Sequence, residues 1–383
     1  MKKRWISLML ALCLLLCLTA CGGGEGESSL PESSESTPKG FVFDTDGLKP
    51  ESFSNLWTAC NPKYLSTGAL LPEYADELTN KENWPTVLAN TSHLKLYIEY
   101  IGRASAPELR KIANFVKENK LWVTVEVAGV RAAHISVPDN EAGRAAGETD
   151  FLNLFKFIKV GGRVDYITTD HAIASEITGR TSDRPNMTME TYIEQQIEYY
   201  KYMKEQMPNV KMGAIESLGF FRVKGADRQY EQTDPTLPNK INFEDYMSKL
   251  VQCAKDNDIT IDHFHIDFGY HDIEHDRDWG RVLAVEDYCH SLGVKSGFIA
   301  GNAFHRGSYP LDNDRNLQLA SESAAQRTLQ YFEEYIQAGG RSDYLLFQRW
   351  QPAPVALGNE STPISQFGIY KSMLDSPYFP KAK

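Results

Sequence analysis

Two short runs in this chain are apolar except for a histidine and a closing carboxylate, Gly213-Ala214-Ile215-Glu216 and Phe264-His265-Ile266-Asp267. An acid in such a setting loses hydration unless it is paired or hydrogen-bonded, so these positions are commonly either paired or working ones. A third acid, Asp170, closes the β-rich run that precedes it. Cleaving a glycosidic bond requires groups of this kind: a carboxylic acid protonates the leaving oxygen while a carboxylate attacks the sugar or activates water. Glu216, Asp267 and Asp170 are therefore the candidate catalytic residues. Other residues at the ends of comparable runs suit a sugar substrate. Trp350, Tyr270, Trp57 and Tyr100 offer rings for stacking, Asn302 and Gln348 offer partners for hydroxyls, and Glu126, Glu99, His171 and His271 complete the predicted lining. For any one of these aromatics, packing of a loop onto a rim is the competing explanation.

The same residues admit other chemistries. His263, His265 and Asp267 alternate along one run and so face one side, an arrangement that would suit a divalent metal in an isomerase or hydrolase. Against it, a lone histidine deep in a strand is more often core, and no His-Glu-x-x-His motif is present, so no metal and no cofactor are expected. Gly161-Gly162-Arg163 and Gly339-Gly340-Arg341 lack the spacing that holds phosphates, and Ser217-Leu218-Gly219 lacks the frame of a nucleophile elbow. A carbohydrate-binding protein without turnover would need the aromatics but not the acids.

These residues must be positioned by elements that the wider pattern predicts. β-branched and aromatic clusters give eight strands: 55–60, 94–101, 121–127, 165–169, 211–215, 262–268, 294–299 and 343–348. Between them, amphipathic periodicity predicts helices over 106–120, 150–160, 189–206, 243–256, 282–292 and 317–338, several followed by Gly or Asn as a C-cap. Strands alternating with helices in this number predict a single (β/α)8 TIM barrel over 41–383, with a doubly wound open parallel sheet as the alternative. In such a barrel, working groups gather at the C-terminal ends of the strands. Residues 222–240, polar and holding two prolines, read as a long loop walling the cleft.

On these residues the chain resembles the (β/α)8 glycoside hydrolases as a broad group, over about residues 54–376. It departs from the large clan whose fourth strand ends in Asn-Glu and whose seventh supplies a Glu nucleophile, having Thr169-Asp170-His171 and Ala300-Gly301-Asn302 there. It is more similar to the α-glycosidase-like barrels, with an Asp on strand four and an acid on strand five or six. That resemblance implies Asp170 as nucleophile and Glu216 or Asp267 as proton donor.

The N-terminus carries a different signal. Met1-Lys2-Lys3-Arg4 precedes an apolar run over 5–18, too short for a comfortable permanent span, and then Leu18-Thr19-Ala20-Cys21. This tetrad resembles the lipobox of bacterial lipoproteins. The resemblance implies a signal peptide over 1–20 and a lipid (a diacylglycerol, with palmitate-type chains) on Cys21. The low-hydrophobicity, acidic stretch 21–40 reads as a flexible tether. The expected place is the extracytoplasmic face of the cell membrane, held by lipid alone. Loss of residues 1–20 leaves 37 basic against 51 acidic residues, a net charge of −14, which argues against nucleic acid as a partner and fits a carbohydrate. Cys60, Cys253 and Cys289 are an odd, widely spaced trio rather than a disulfide framework, and the domain is expected to be a monomer.

Overall fold

The computed structural model describes residues 40–51, 56–60, 62, 70–71, 73–170, 173, 187–224, 241–269, 278–301, 314–349 and 357–380. Eight parallel strands close into a barrel: β1 (Leu56–Ala59), β2 (Thr91–Tyr97), β3 (Trp122–Val127), β4 (Tyr166–Asp170), β5 (Lys211–Ser217), β8 (Ile261–Asp267), β9 (Lys295–Ala300) and β10 (Tyr344–Gln348). The closed order β1-β10-β9-β8-β5-β4-β3-β2 settles the choice against an open sheet. Two further short strands, β6 (Phe221–Arg222) and β7 (Ile241–Asn242), pair with each other at the two ends of the predicted loop.

The helices follow from local chemistry. One spans Ala106–Glu118, opened by a capping box in which Ser105 and Glu108 satisfy each other's backbone donors. Met189–Gln206 and Phe243–Asp256 form where periodicity predicts them, the first capped by Thr188. Gly161, Gly293 and Gly339 take positive φ just past helix ends, where a side chain would strain the backbone.

Two elements differ most from the expected ones: the helix expected over 150–160 already begins at Ala142, and one strand is displaced. β2 runs 91–97 rather than 94–101, and Ile98–Arg103 turns into a helix. Thr91, Ser92 and His93 are fully buried, but as polar residues they do not read as strand from composition.

Alternation sorts each strand into two faces. The outward residues, such as Leu94, Leu96, Val125, Ala214, Phe264 and Ile266, join the large core beneath the helices. The inward ones fill the lumen, where Trp57, Tyr166, Ile215, Ile299, Tyr344 and Leu346 form a separate cluster.

The N-terminal face is closed by the segment that precedes β1. Gly40 and Phe41 donate to the carbonyl of Gln206, and Lys49 reaches the carbonyls of Leu88 and Thr91 at 2.7 Å. Glu51 accepts a hydrogen bond from the Tyr166 hydroxyl and lies 3.2 Å from Lys211 Nζ and 3.4 Å from His93 Nε2. Burial alone would raise the Glu51 carboxyl. The bonds from His93 and Tyr166 and the charges of His93 and Lys211 outweigh it and bring the value down to about 2.

Candidate active site

The strand register decides which predicted residues meet. Lumen positions pair across neighbouring strands: Tyr97 with Glu126 between β2 and β3, Thr168 with Gly213 between β4 and β5, Ser217 with Asp267 between β5 and β8, and Ala59 with Gln348 between β1 and β10. Asp170 is opposite the lumen residue Ile215. Glu126, Asp170, Asp267 and Gln348 thus all face the lumen at the C-terminal ends of their strands.

Glu216 does not. It pairs with Ile266 and alternates with Ala214 on the face that packs under the helices, so the expected catalytic role is corrected. Its fully buried carboxylate accepts the backbone N–H of Ile173 at 3.0 Å, and its charge is felt by Tyr200 and Tyr246 of the flanking helices. The physical reason is the two-residue period of a strand. With Asp267 lumen-facing and Ser217 its register partner, the residue before Ser217 must point the other way.

Two aromatics are likewise corrected. Trp57 is a lumen residue with no exposed surface, its ring stacked on His93 at 4.1 Å and edge-on to His265 at 4.9 Å, so no sugar reaches it. Tyr100 is buried against Tyr74 at 4.6 Å. Glu99 stands exposed on the first turn of the helix after β2, outside the lumen. Trp350, Tyr270, His171, Asn302, His271 and Cys21 lie outside the described residues.

Within the lumen the acids have defined neighbours. Glu126 Oε2 lies 2.6 Å from Lys95 Nζ and accepts from Gln348 Nε2 at 3.1 Å, while Lys95 Nζ donates to Gln348 Oε1 at 2.7 Å. Asp170 pairs with Arg131 at 3.2 Å, both partners partly open to solvent. Asp267 is 6% exposed. The Tyr97 phenol donates to the Arg349 carbonyl at 3.3 Å, and burial first, then the Glu126 charge, push it well above the usual tyrosine range.

Lys95, Tyr97 and Arg131 were not anticipated. The signal for Lys95 was present: Leu94-Lys95-Leu96 is a charge inside an apolar run, the same pattern that singled out Glu216 and Asp267.

One layer deeper, His263 and His265 face each other with ring centroids 4.7 Å apart. His263 Nε2 lies 2.8 Å from Thr168 Oγ1, while among the described residues neither nitrogen of His265 has a partner. Burial, then neighbouring charges, lower both imidazoles far below the ordinary histidine value, so they are neutral packing groups. Among the described residues, no three His, Cys, Asp or Glu side chains gather as metal ligands would.

No protein-family pattern matches this chain, and no curated protein sequence matches it. Solved structures similar to it include the GH53 catalytic domain of Ignisphaera aggregans at 13% identity and TM-score 0.42, covering 80% of this chain and 87% of that one. A xylanase, XynB of Paenibacillus barcinonensis, is 10% identical at TM-score 0.48, covering 82% and 88%. A D-psicose 3-epimerase is 12% identical at TM-score 0.39, covering 76% and 84%. At these identities the likeness is one of barrel architecture, which the closed strand order already establishes.

Proposed function

We propose that this domain hydrolyses glycosidic bonds of a poly- or oligosaccharide at the C-terminal mouth of the barrel, using lumen-facing carboxyl groups. The observation that supports this most is that Glu126, Asp170 and Asp267 come from three separate strands and share the lumen side of the mouth. In the proposed step the bond between the anomeric carbon and the leaving oxygen breaks, with its electron pair staying on oxygen. Asp267 gives that oxygen a proton, and the carboxylate of Glu126 faces the positive charge growing on the sugar ring. Water then adds to the anomeric carbon, and its proton restores the acid. Asp170, held by Arg131, stands on the rim as a partner for hydroxyls.

The test is release of reducing ends from a panel of polysaccharides. Asp267→Asn and Glu126→Gln are expected to lower the turnover of the folded protein at least about a hundredfold. Asp267→Asn should leave the thermal melt nearly in place, whereas Glu126→Gln should also lower it, because the buried Lys95 ammonium loses its carboxylate. Turnover that survives both substitutions defeats the proposal. The closed contact among Lys95, Glu126 and Gln348 favours a second reading, binding of a glycan without cleavage. Retention of a polysaccharide on the immobilised domain with no product would select it.

We further propose that the domain works while held at the extracytoplasmic membrane face by lipid on Cys21. Labelling cells with an alkyne-bearing palmitate analogue should mark the wild-type chain and leave Cys21→Ser unmarked. Equal labelling of both defeats this part.

A further inference from the structure

Lys95 has no exposed surface and stands in the lumen between Leu94 and Leu96, which face the helices. Placing an ammonium there costs several kcal/mol of lost hydration unless close partners replace the water. Other lumen positions are filled by Ile215, Ile299 and Leu346, so the fold does not demand a cation to fill this space. The partners are instead specific. Lys95 on β2 touches Glu126 on β3 and Gln348 on β10, and Gln348 closes the triangle by donating to the same carboxylate oxygen that Lys95 approaches. That geometry fixes the Gln348 amide: its oxygen faces the ammonium and its nitrogen faces the carboxylate. Exposure grades toward the mouth, from 0% at Lys95 and 2% at Gln348 to 9% at Glu126. The solvent-touched member of the triad is the acid.

Among the described residues, the ion pair of this acid is with Lys95. Tyr97, next to it on β2, is held neutral. His263 and His265, one layer down, are kept neutral by burial, with the Lys95 charge among the causes. Asp170 is matched with Arg131 at the end of β4, and Asp267 belongs to the far wall on β8.

We propose that Lys95 is a positioning residue that keeps Glu126 ionised and fixed in orientation, so that Glu126 serves as the anion facing the sugar and Asp267 as the proton donor. This rests on the hydrolase reading above. A cation at 2.6 Å favours the carboxylate over the acid, and a group held as carboxylate has no proton to give.

The experiment uses protein carrying 13C at the glutamate side-chain carboxyl, with the Glu126 signal identified by its loss in Glu126→Gln. Wild-type Glu126 is expected to remain a carboxylate at the lowest pH where the domain stays folded. In Lys95→Met, an apolar residue of similar length, its titration midpoint is expected about one to three pH units higher. The acid limb of kcat/KM on whichever panel polysaccharide is cleaved should move with it. A wild-type Glu126 that titrates at or above the ordinary glutamate value of about 4.3 overturns the proposal, and this measurement does not depend on the folding of Lys95→Met. So does a Lys95→Met enzyme whose acid limb stays in place. If the midpoint moves but no polysaccharide is cleaved, the hold of Lys95 on Glu126 stands and the hydrolase reading is what fails.

Discussion

Replacing His265 by Phe should make the domain less sensitive to acid by one proton. His93, His263 and His265 are all fully buried, and all three imidazoles are held below the ordinary histidine value, His93 at about 4 with burial the main cause. A histidine whose folded value is depressed binds its proton in the unfolded chain but not in the folded one. Its cost is absent above about pH 6.5 and grows by about 1.4 kcal/mol per pH unit below that, until the folded value is reached. Between pH 7 and pH 5 that is about 2 kcal/mol for each such residue. The total change in stability is smaller than three times this, because the Asp150 carboxyl, raised to about 7, gains stability over the same interval.

Comparison of the variant with the wild type removes those shared terms. Phe also removes two ring nitrogens that have no partner among the described residues, while its extra volume against Trp57 and Gly297 costs about 1–3 kcal/mol. Both effects are independent of pH. Urea unfolding followed by far-ultraviolet circular dichroism at pH 7, 6 and 5 should therefore show the variant gaining about 2 kcal/mol on the wild type as pH falls. A gap between the two that stays constant across the three pH values would mean that His265 takes up its proton inside the folded lumen, and the reasoning would fail.

Glu216→Gln should weaken folding rather than chemistry. Disturbing the bond to the Ile173 N–H costs about 1–3 kcal/mol, a fall of several degrees in the calorimetric melt, with the activity of the folded fraction retained. Loss of turnover with an unchanged melt would restore Glu216 to the site. Asp150 is 2% exposed, and burial pushes its carboxyl up to about 7 against the bonds from Tyr199 and the Gly129 backbone. Its folded value lies above the unfolded one, so stability is lost as pH rises from about 4 to 7. Asp150→Asn keeps a neutral acceptor for both bonds, and it should gain about 2–3 kcal/mol on the wild type between pH 5 and pH 8. Chemical denaturation at those two pH values checks this, and a variant that gains nothing on the wild type, or loses ground to it, as pH rises refutes it.

The barrel was legible because its outward strand faces are mostly apolar and its helices carry their own caps, as at Ser105 and Thr188. Both signals are local, and each survives without knowledge of the partner strand. The site was less legible because facing depends on register. A shift of one residue exchanges lumen for helix layer, and composition alone does not tell Glu216 from Ser217. Trp57 misled for a related reason: an indole near a strand end reads as a rim residue until β1 is seen to be only four residues long, all of them buried. Lys95 was visible as a charge among leucines, but its meaning required Gln348, which lies 253 positions away in the chain.

The segment 40–51 also determines how the domain would bear tension. A pull applied upstream of Gly40 is met first by the Gln206 carbonyl, then by the two carbonyls that grip Lys49, and then by Glu51 wedged against Tyr166 and Lys211. These attachments belong to different elements and are loaded one after another, so β1 stays shielded from being peeled off the barrel until all of them have let go.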